Sequence, residues 1–300
     1  MRLAPIQTLT VALTLLLGVG PGLVRADQPD EAIASVAPNQ PDQPVEAIAS
    51  VTPAPVEPAD LRPRLTMDFA PHAWFTGGLL LGVGASQYWS ENLAPSKCRW
   101  CEPPQVDVWA RRQLLWANPK DGSTIGNALV VGVPAATVLA LGLMGHANGS
   151  SSRAVAEDVL LVAEAAAITT AIMQVAKFTV VRLRPDAWAG SGSTTANSRM
   201  SFFAGHSSTV FAMAASATQV ARLRGYAGWK WIAAASFVGA AASGYFRIAS
   251  DNHWLTDVIA GTAIGTGVGL AVPLLVLRPA DPRKTGVTLI PTPGGLTLLF

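Results

Sequence analysis

The chain has 300 residues, 50% of them apolar and only 13% charged, and its mean hydropathy is +0.35. The charged share is about half that of an ordinary globular protein, so a bilayer is the expected surrounding. A formal net charge of +2 without a Lys/Arg tract excludes a nucleic-acid binder, and two cysteines are too few for a disulfide framework.

Met1-Arg2, an apolar run from Leu9 to Val19, and small residues around Val24-Arg25-Ala26 predict a secretory signal over 1–26, either cleaved or kept as an anchor. Residues 27–66 are rich in Pro, Ala and acids. Asp27–Pro38 is nearly repeated at Asp42–Pro53, and two copies do not make a solenoid. The expectation is a disordered, semi-extended linker.

Six apolar stretches follow, 73–87, 126–147, 158–176, 207–221, 229–246 and 255–277, which predict an all-α transmembrane helical bundle of about five to six helices over 67–278. The second and sixth are long enough to cross a hydrocarbon core of about 30 Å. The third carries Glu164 and Gln174 and the fourth is mostly Ala, Ser and Thr, so both should face the bundle interior. Gly261, Gly265 and Gly269 form a small-residue stripe that lets a neighbouring helix approach. Residues 88–125 read as a long polar loop. In it Cys98 and Cys101 suggest a small disulfide; a zinc site lacks a second ligand pair, and a redox motif lacks its βαβ context. The tail, 279–300, has a strand-like pattern with turn residues at Pro291–Gly295 and no assigned role.

Three polar islands carry the chemistry. In Lys177–Pro185, Lys177 and Arg184 stand seven apart and are expected on one helix face, with Pro185 ending the segment. In Ser201–Ser208, Gly205 admits a close ligand and His206 starts the fourth helix. In Arg247–Asp257, His253 and Asp257 stand four apart. A helix capped at Ser250, Asp251 or Asn252 would stack them and let the carboxylate fix the imidazole tautomer. Each island alone also fits a plain helix terminus. Together, alternating helix directions bring the ends of helices three and five and the starts of four and six to one side. Three cations and two histidines gathered there call for an oxyanion, and phosphate suits Arg and Lys best.

Lys-x6-Arg-Pro, a Gly-His turn and Arg-x5-His-x3-Asp, in this order over residues 73–278, resemble the three-part signature of the type-2 phosphatidic-acid phosphatase and vanadium haloperoxidase superfamily. The resemblance implies a metal-independent phosphomonoesterase, with no cofactor, working through a phosphohistidine. On that pattern His253 matches the nucleophile, Asp257 its orienting carboxylate and His206 the general acid. Lys177, Arg184 and Arg247, with the Gly205 N–H, match the phosphate clamp. Two positions depart from the pattern. Ala204 stands where the family usually has Ser before Gly-His, with Ser207 or Ser201 as substitutes for the lost hydroxyl, and Phe246 stands where it has Ser before Arg.

The expected function is hydrolysis of a lipid phosphate: phosphatidate, isoprenoid diphosphate or a lipid A-type substrate. The alternatives are a vanadate-dependent haloperoxidase, or a non-catalytic lipid-phosphate-binding protein because of Ala204. If 73–87 stops short of crossing, five crossings after an exported N-terminus put the site outside, in the periplasm of a bacterial-type envelope. That layout leaves Arg222, Arg224, Lys230, Arg278, Arg283 and Lys284 inside, as the positive-inside rule prefers. The sequence leaves the oligomeric state open.

Overall fold

The computed structural model describes residues 64–192 and 195–280, and the backbone of Thr288–Thr292 and Gly295–Leu299. The expected signal at 1–26 and nearly all of the 27–66 linker lie outside the described residues. The described chain is helical apart from two short strand pairs. In order it forms β1 (Leu65–Thr66), α1 (Phe69–Tyr88), α2 (Ser90–Leu93), α3 (Gln105–Leu114), α4 (Pro119–Ala147), α5 (Ser152–Val180) and α6 (Pro185–Trp188). A single 3-10 turn at Ala196–Arg199 is followed by α7 (Gly205–Leu223), α8 (Trp229–Ala249), α9 (Leu255–Val276), β2 (Arg278–Pro279), β3 (Thr288–Thr292) and β4 (Gly295–Leu299). The strand-like tail is an antiparallel hairpin in which Thr292 faces Gly295.

Each of the six apolar stretches forms a helix, and all but the last of these helices extend beyond their stretch. Asn118 and Ser151 accept from the backbone N–H of Lys120 and Ala154 and so start α4 and α5 in polar sequence, upstream of the apolar runs. Four helices, α4, α5, α8 and α9, are long and apolar enough to cross a membrane. The stretch 73–87, expected to stop short of a crossing, belongs to a 20-residue helix. Thr66, His72 and Gln87 meet Glu157, Glu164 and Gln174 in turn, so α1 runs parallel to α5 along its length. Glu164 and Gln174 both face inward, the first against His72 at 2.8 Å.

Helix α7 is the central element. Its Ala- and Ser-rich sequence is buried along nearly its whole length, from Ser207 to Ala221. The glycine stripe of α9 lies on it: a Cβ on Gly261 would stand 2.8 Å from the Ala204 carbonyl oxygen, and Cβ atoms on Gly265 and Gly269 would collide with the Ser208 and Ala212 carbonyls. The two backbones touch because three successive turns of α9 carry no side chain.

The far end of the bundle is locked by Arg224. Its Nε donates to Asp158 at 2.7 Å and its guanidinium also reaches Glu157, while the Tyr226 hydroxyl donates to Asp158 at 2.7 Å. Beside this lock β1 pairs antiparallel with β2, tying the start of the described chain to the end of α9.

The 88–125 stretch is not simply a loop. Helix α3 forms within it and buries Asp107 and Ala110, with Asp107 in its first turn and Arg111 and Arg112 in its last. The partners of the buried Asp107 come from distant segments, so nothing local in the sequence announces its burial.

Candidate active site

The first island bends where a straight helix was expected. Helix α5 ends at Val180, and Val181 takes the left-handed conformation (φ 51°). Residues 182–184 then run extended, with Arg182 bridged to Trp100. Lys177 and Arg184 therefore do not share a helix face. Pro185 does not end the helix either: it opens the short α6, where its missing N–H costs nothing. Arg184 reaches the site from a loop, held by Nε to the Asn197 carbonyl (2.8 Å), by one terminal nitrogen to Asn197 Oδ1 (3.0 Å) and by the other to the Asn252 carbonyl (3.2 Å).

The second island starts α7. Ala204 is the N-cap residue and caps with no side chain; its own N–H donates to the Asp257 carbonyl at 3.1 Å. Of the two hydroxyls offered as substitutes for the missing serine, Ser201 is committed, donating to Asp257 Oδ2 at 2.5 Å. Ser207 Oγ is buried without a hydrogen-bond partner and turns toward Gly244 of α8. Gly205 and His206 are half-buried in the first turn of α7.

The third island also departs from the expected stacking. Helix α9 starts at Leu255, so His253 precedes it in a loop and does not lie one turn below Asp257. Asp251 sits at φ 59°, held in that left-handed conformation by a two-point pair with Arg111 of α3, 2.6 Å at each contact. His253 Nδ1 stands 3.6 Å from Asp257 Oδ2, too long for a hydrogen bond, and Nδ1 has no partner. The Asp257 carboxylate is instead occupied by Arg182 (2.5 Å), Ser201 and the Trp254 N–H (3.1 Å). Phe246 packs its Cβ against Gly126 of α4 and its ring 5.3 Å from Trp116, which leaves the adjacent Arg247 directed inward.

Assembled, these segments surround His253, which is 2% exposed. Burial and then the charges of Arg184, Arg247 and Lys177 hold the imidazole well below its ordinary pKa, in the neutral form. Arg184 is itself lowered by burial, against the pull of Asp186 and Asp257. Among the described residues none of the three cations forms an ion pair; Arg247 has only Asn127 Oδ1 at 3.2 Å, and its Nε has no partner. Charges gathered and buried without carboxylates are costly unless an anion joins them. Lys177 and His206 remain partly exposed, so the cradle opens on their side.

Sequence reasoning singled out Lys177, Arg184, Gly205, His206, Arg247, His253 and Asp257, and the structure brings the charged members together around one imidazole. It missed Arg182, Asp107, Arg111 and Asn127. Arg182 lies two residues before Arg184 but is engaged by Thr256, Asp257 and Asp107, whereas Arg184 is held by Asn197 and Asn252. No local pattern in the sequence marks Arg182, because its carboxylate partners come from distant segments.

Among the described residues, three cations without carboxylate partners gather around a histidine, an arrangement whose charge suits an oxyanion. Residues 158–280 match the family model of the PAP2 superfamily, the type-2 phosphatidic-acid phosphatase superfamily. Its members are phosphoryl hydrolases of the phosphatase and haloperoxidase type. No curated protein and no solved structure shows a significant match to the chain.

Proposed function

We propose that the protein is a membrane-embedded phosphatase that hydrolyses a lipid phosphate through a phosphohistidine on His253. The observation that carries this reading is the set of three cations, Lys177, Arg184 and Arg247, facing a neutral imidazole and lacking carboxylate partners among the described residues. With Nδ1 toward Asp257, the Nε2 lone pair is left for phosphorus. Nε2 forms the N–P bond as the P–O ester bond breaks, and His206 gives a proton to the departing oxygen. Water then attacks phosphorus, the N–P bond breaks and His206 recovers the proton. The cations stabilise the charge on the equatorial oxygens throughout, together with the Gly205 N–H.

The apolar exterior of the bundle, with Leu139, Leu143, Val175, Val238 and Leu275 exposed, suits a lipid surrounding. A site at the helix ends then lets a substrate keep its tail in the bilayer. The outward, periplasmic orientation rests on the disulfide between Cys98 and Cys101, which lies at the site end and belongs in an oxidising compartment. Exposed cations occur at both ends, Arg99 and Arg112 near the site and Arg222 and Lys230 opposite, so charge does not favour either orientation.

The test is phosphate release by the purified full-length protein, in detergent and chelator, from phosphatidate, phosphatidylglycerol phosphate, undecaprenyl diphosphate and lipid A. Release that vanishes in His253→Ala, with an acid-labile phosphoprotein trapped in the wild type, is the expected result. Equal turnover by His253→Ala would falsify the mechanism.

A further inference from the structure

Asp257, the carboxylate beside His253, is not positioned by the histidine. We propose that Arg182 is the residue that positions the His253–Asp257 pair, and that the Cys98–Cys101 loop and Asp107 of α3 hold Arg182 in place for this task. The proposal rests on the phosphohistidine reading for its catalytic meaning.

Arg182 is 1% exposed and lies between two fully buried carboxylates. One terminal nitrogen donates to Asp257 Oδ1 at 2.5 Å and to Thr256 Oγ1 at 2.8 Å; the other donates to Asp107 Oδ2 at 2.5 Å. Asp107 also accepts from the Thr256 N–H at 2.9 Å and hydroxyl at 2.7 Å, so α3 is bonded to the first turn of α9. Arg182 thus sets where the first turn of α9 presents Asp257. Two further bonds to Asp257 Oδ2, from Ser201 and the Trp254 N–H, fix the rotation of the carboxylate. The only freedom left to the pair lies on the histidine side, across the 3.6 Å gap.

The cover on Arg182 comes from the disulfide loop. Trp100, between the two cysteines, places its ring 3.8 Å from the guanidinium carbon. Backbone bonds fasten the same four-residue loop to the segment carrying Arg182: Arg99 N–H to the Val181 carbonyl (3.0 Å) and Leu183 N–H to the Trp100 carbonyl (3.1 Å). A guanidinium sandwiched by an indole and two carboxylates is held in one geometry, and a planar two-ended donor is the side chain that can bridge them. Lysine, a point charge, cannot span both. Neither Arg182 nor Asp107 touches the three phosphate-facing cations, so their effect on turnover is transmitted through Asp257.

The test uses Arg182→Gln, Arg182→Lys and Asp107→Asn in the full-length protein with its disulfide intact. Arg182→Gln should lower kcat by roughly tenfold to a hundredfold, the loss of a charged hydrogen bond, with KM changed by less than about threefold. The acid limb of kcat/KM should move to higher pH, because a positive charge has left the carboxylate. Arg182→Lys should restore the limb but not the full kcat, and Asp107→Asn should lower kcat less than Arg182→Gln does. A folded Arg182→Gln protein with the wild-type kcat and pH profile overturns the proposal; should that variant not fold, a folded Asp107→Asn with wild-type kcat does so. If the wild type shows no His253-dependent phosphate release, the phosphatase reading fails by itself. The positioning claim is then decided by 15N-histidine spectra: His253 ring nitrogen resonances that move in Asp107→Asn support it, and unmoved resonances refute it.

Discussion

The contact between α7 and α9 makes a prediction with an internal control. Gly265 and Gly267 are two residues apart on the same helix and differ only in what a methyl group would meet. At Gly265 a Cβ would fall on the Ser208 carbonyl oxygen, backbone that cannot swing aside, whereas at Gly267 nothing lies within 4 Å. Gly267→Ala should therefore stabilise by about 0.5–1 kcal/mol, the ordinary gain of alanine over glycine in a helix. Gly265→Ala receives the same gain but must push two helices apart, an overpacking cost of about 1–3 kcal/mol or more. At roughly 2–4 °C per kcal/mol for a domain of this size, the melting temperatures should differ by several degrees. The separation should also reach the chemistry, since Asp257 lies two turns before Gly265 on α9 and is bonded to Ser201 just ahead of α7. Thermal unfolding of both variants in one detergent, with phosphate release measured on each, is the assay. Equal melting temperatures and equal activities would refute the close-contact reading of the stripe.

Ala204→Ser should raise phosphate release by about tenfold, because the hydroxyl supplies a hydrogen bond to a charged oxygen; a higher melting temperature at unchanged rate would mean that it only caps α7. Arg111→Ala should destabilise by up to about 3 kcal/mol and slow turnover, since Asp251 then holds its left-handed conformation without a counter-ion; Asp251→Gly should recover more stability than Asp251→Ala. The pH dependence of stability follows from His253, whose folded pKa is depressed below the unfolded value of about 6.5. Its contribution is full above that value and is lost as pH falls toward the folded pKa. The acid-side drop in melting temperature should be smaller in His253→Gln, and an equal drop would refute the assignment.

Legibility in the sequence followed the kind of signal each feature leaves. Apolar length located all six long helices, and the composition of α7 foretold its central burial. The glycine spacing foretold its contact with α9. Chemistry-bearing residues at helix ends were legible because alternating helix directions force them together. Local geometry within those ends was not. A left-handed Val181 breaks α5 against the propensity of its sequence, and tertiary bonds to Trp100 and Asn197 hold the extended run that follows. His253 and Asp257 look like a helical i,i+4 pair, yet the loop at Asp251 is shaped by Arg111, 140 residues away. Asp107 and Arg182 were invisible because their partners come from distant segments, and pairing of that kind leaves no periodicity.

The short pairing of Leu65–Thr66 with Arg278–Pro279 has a consequence for compartments. Helix α5 carries the chain from this clasp toward Lys177, α7 brings it back to Arg224, α8 returns it to Arg247, and α9 runs home to the clasp. With α1 and α4 the chain makes six traverses, so it sets out from and returns to the same side, opposite His253. Arg64 and Ala280 therefore share one side, and the site faces the other. Reporter fusions at residues 64 and 280 should give the same compartment, and a fusion after Trp116 the opposite one.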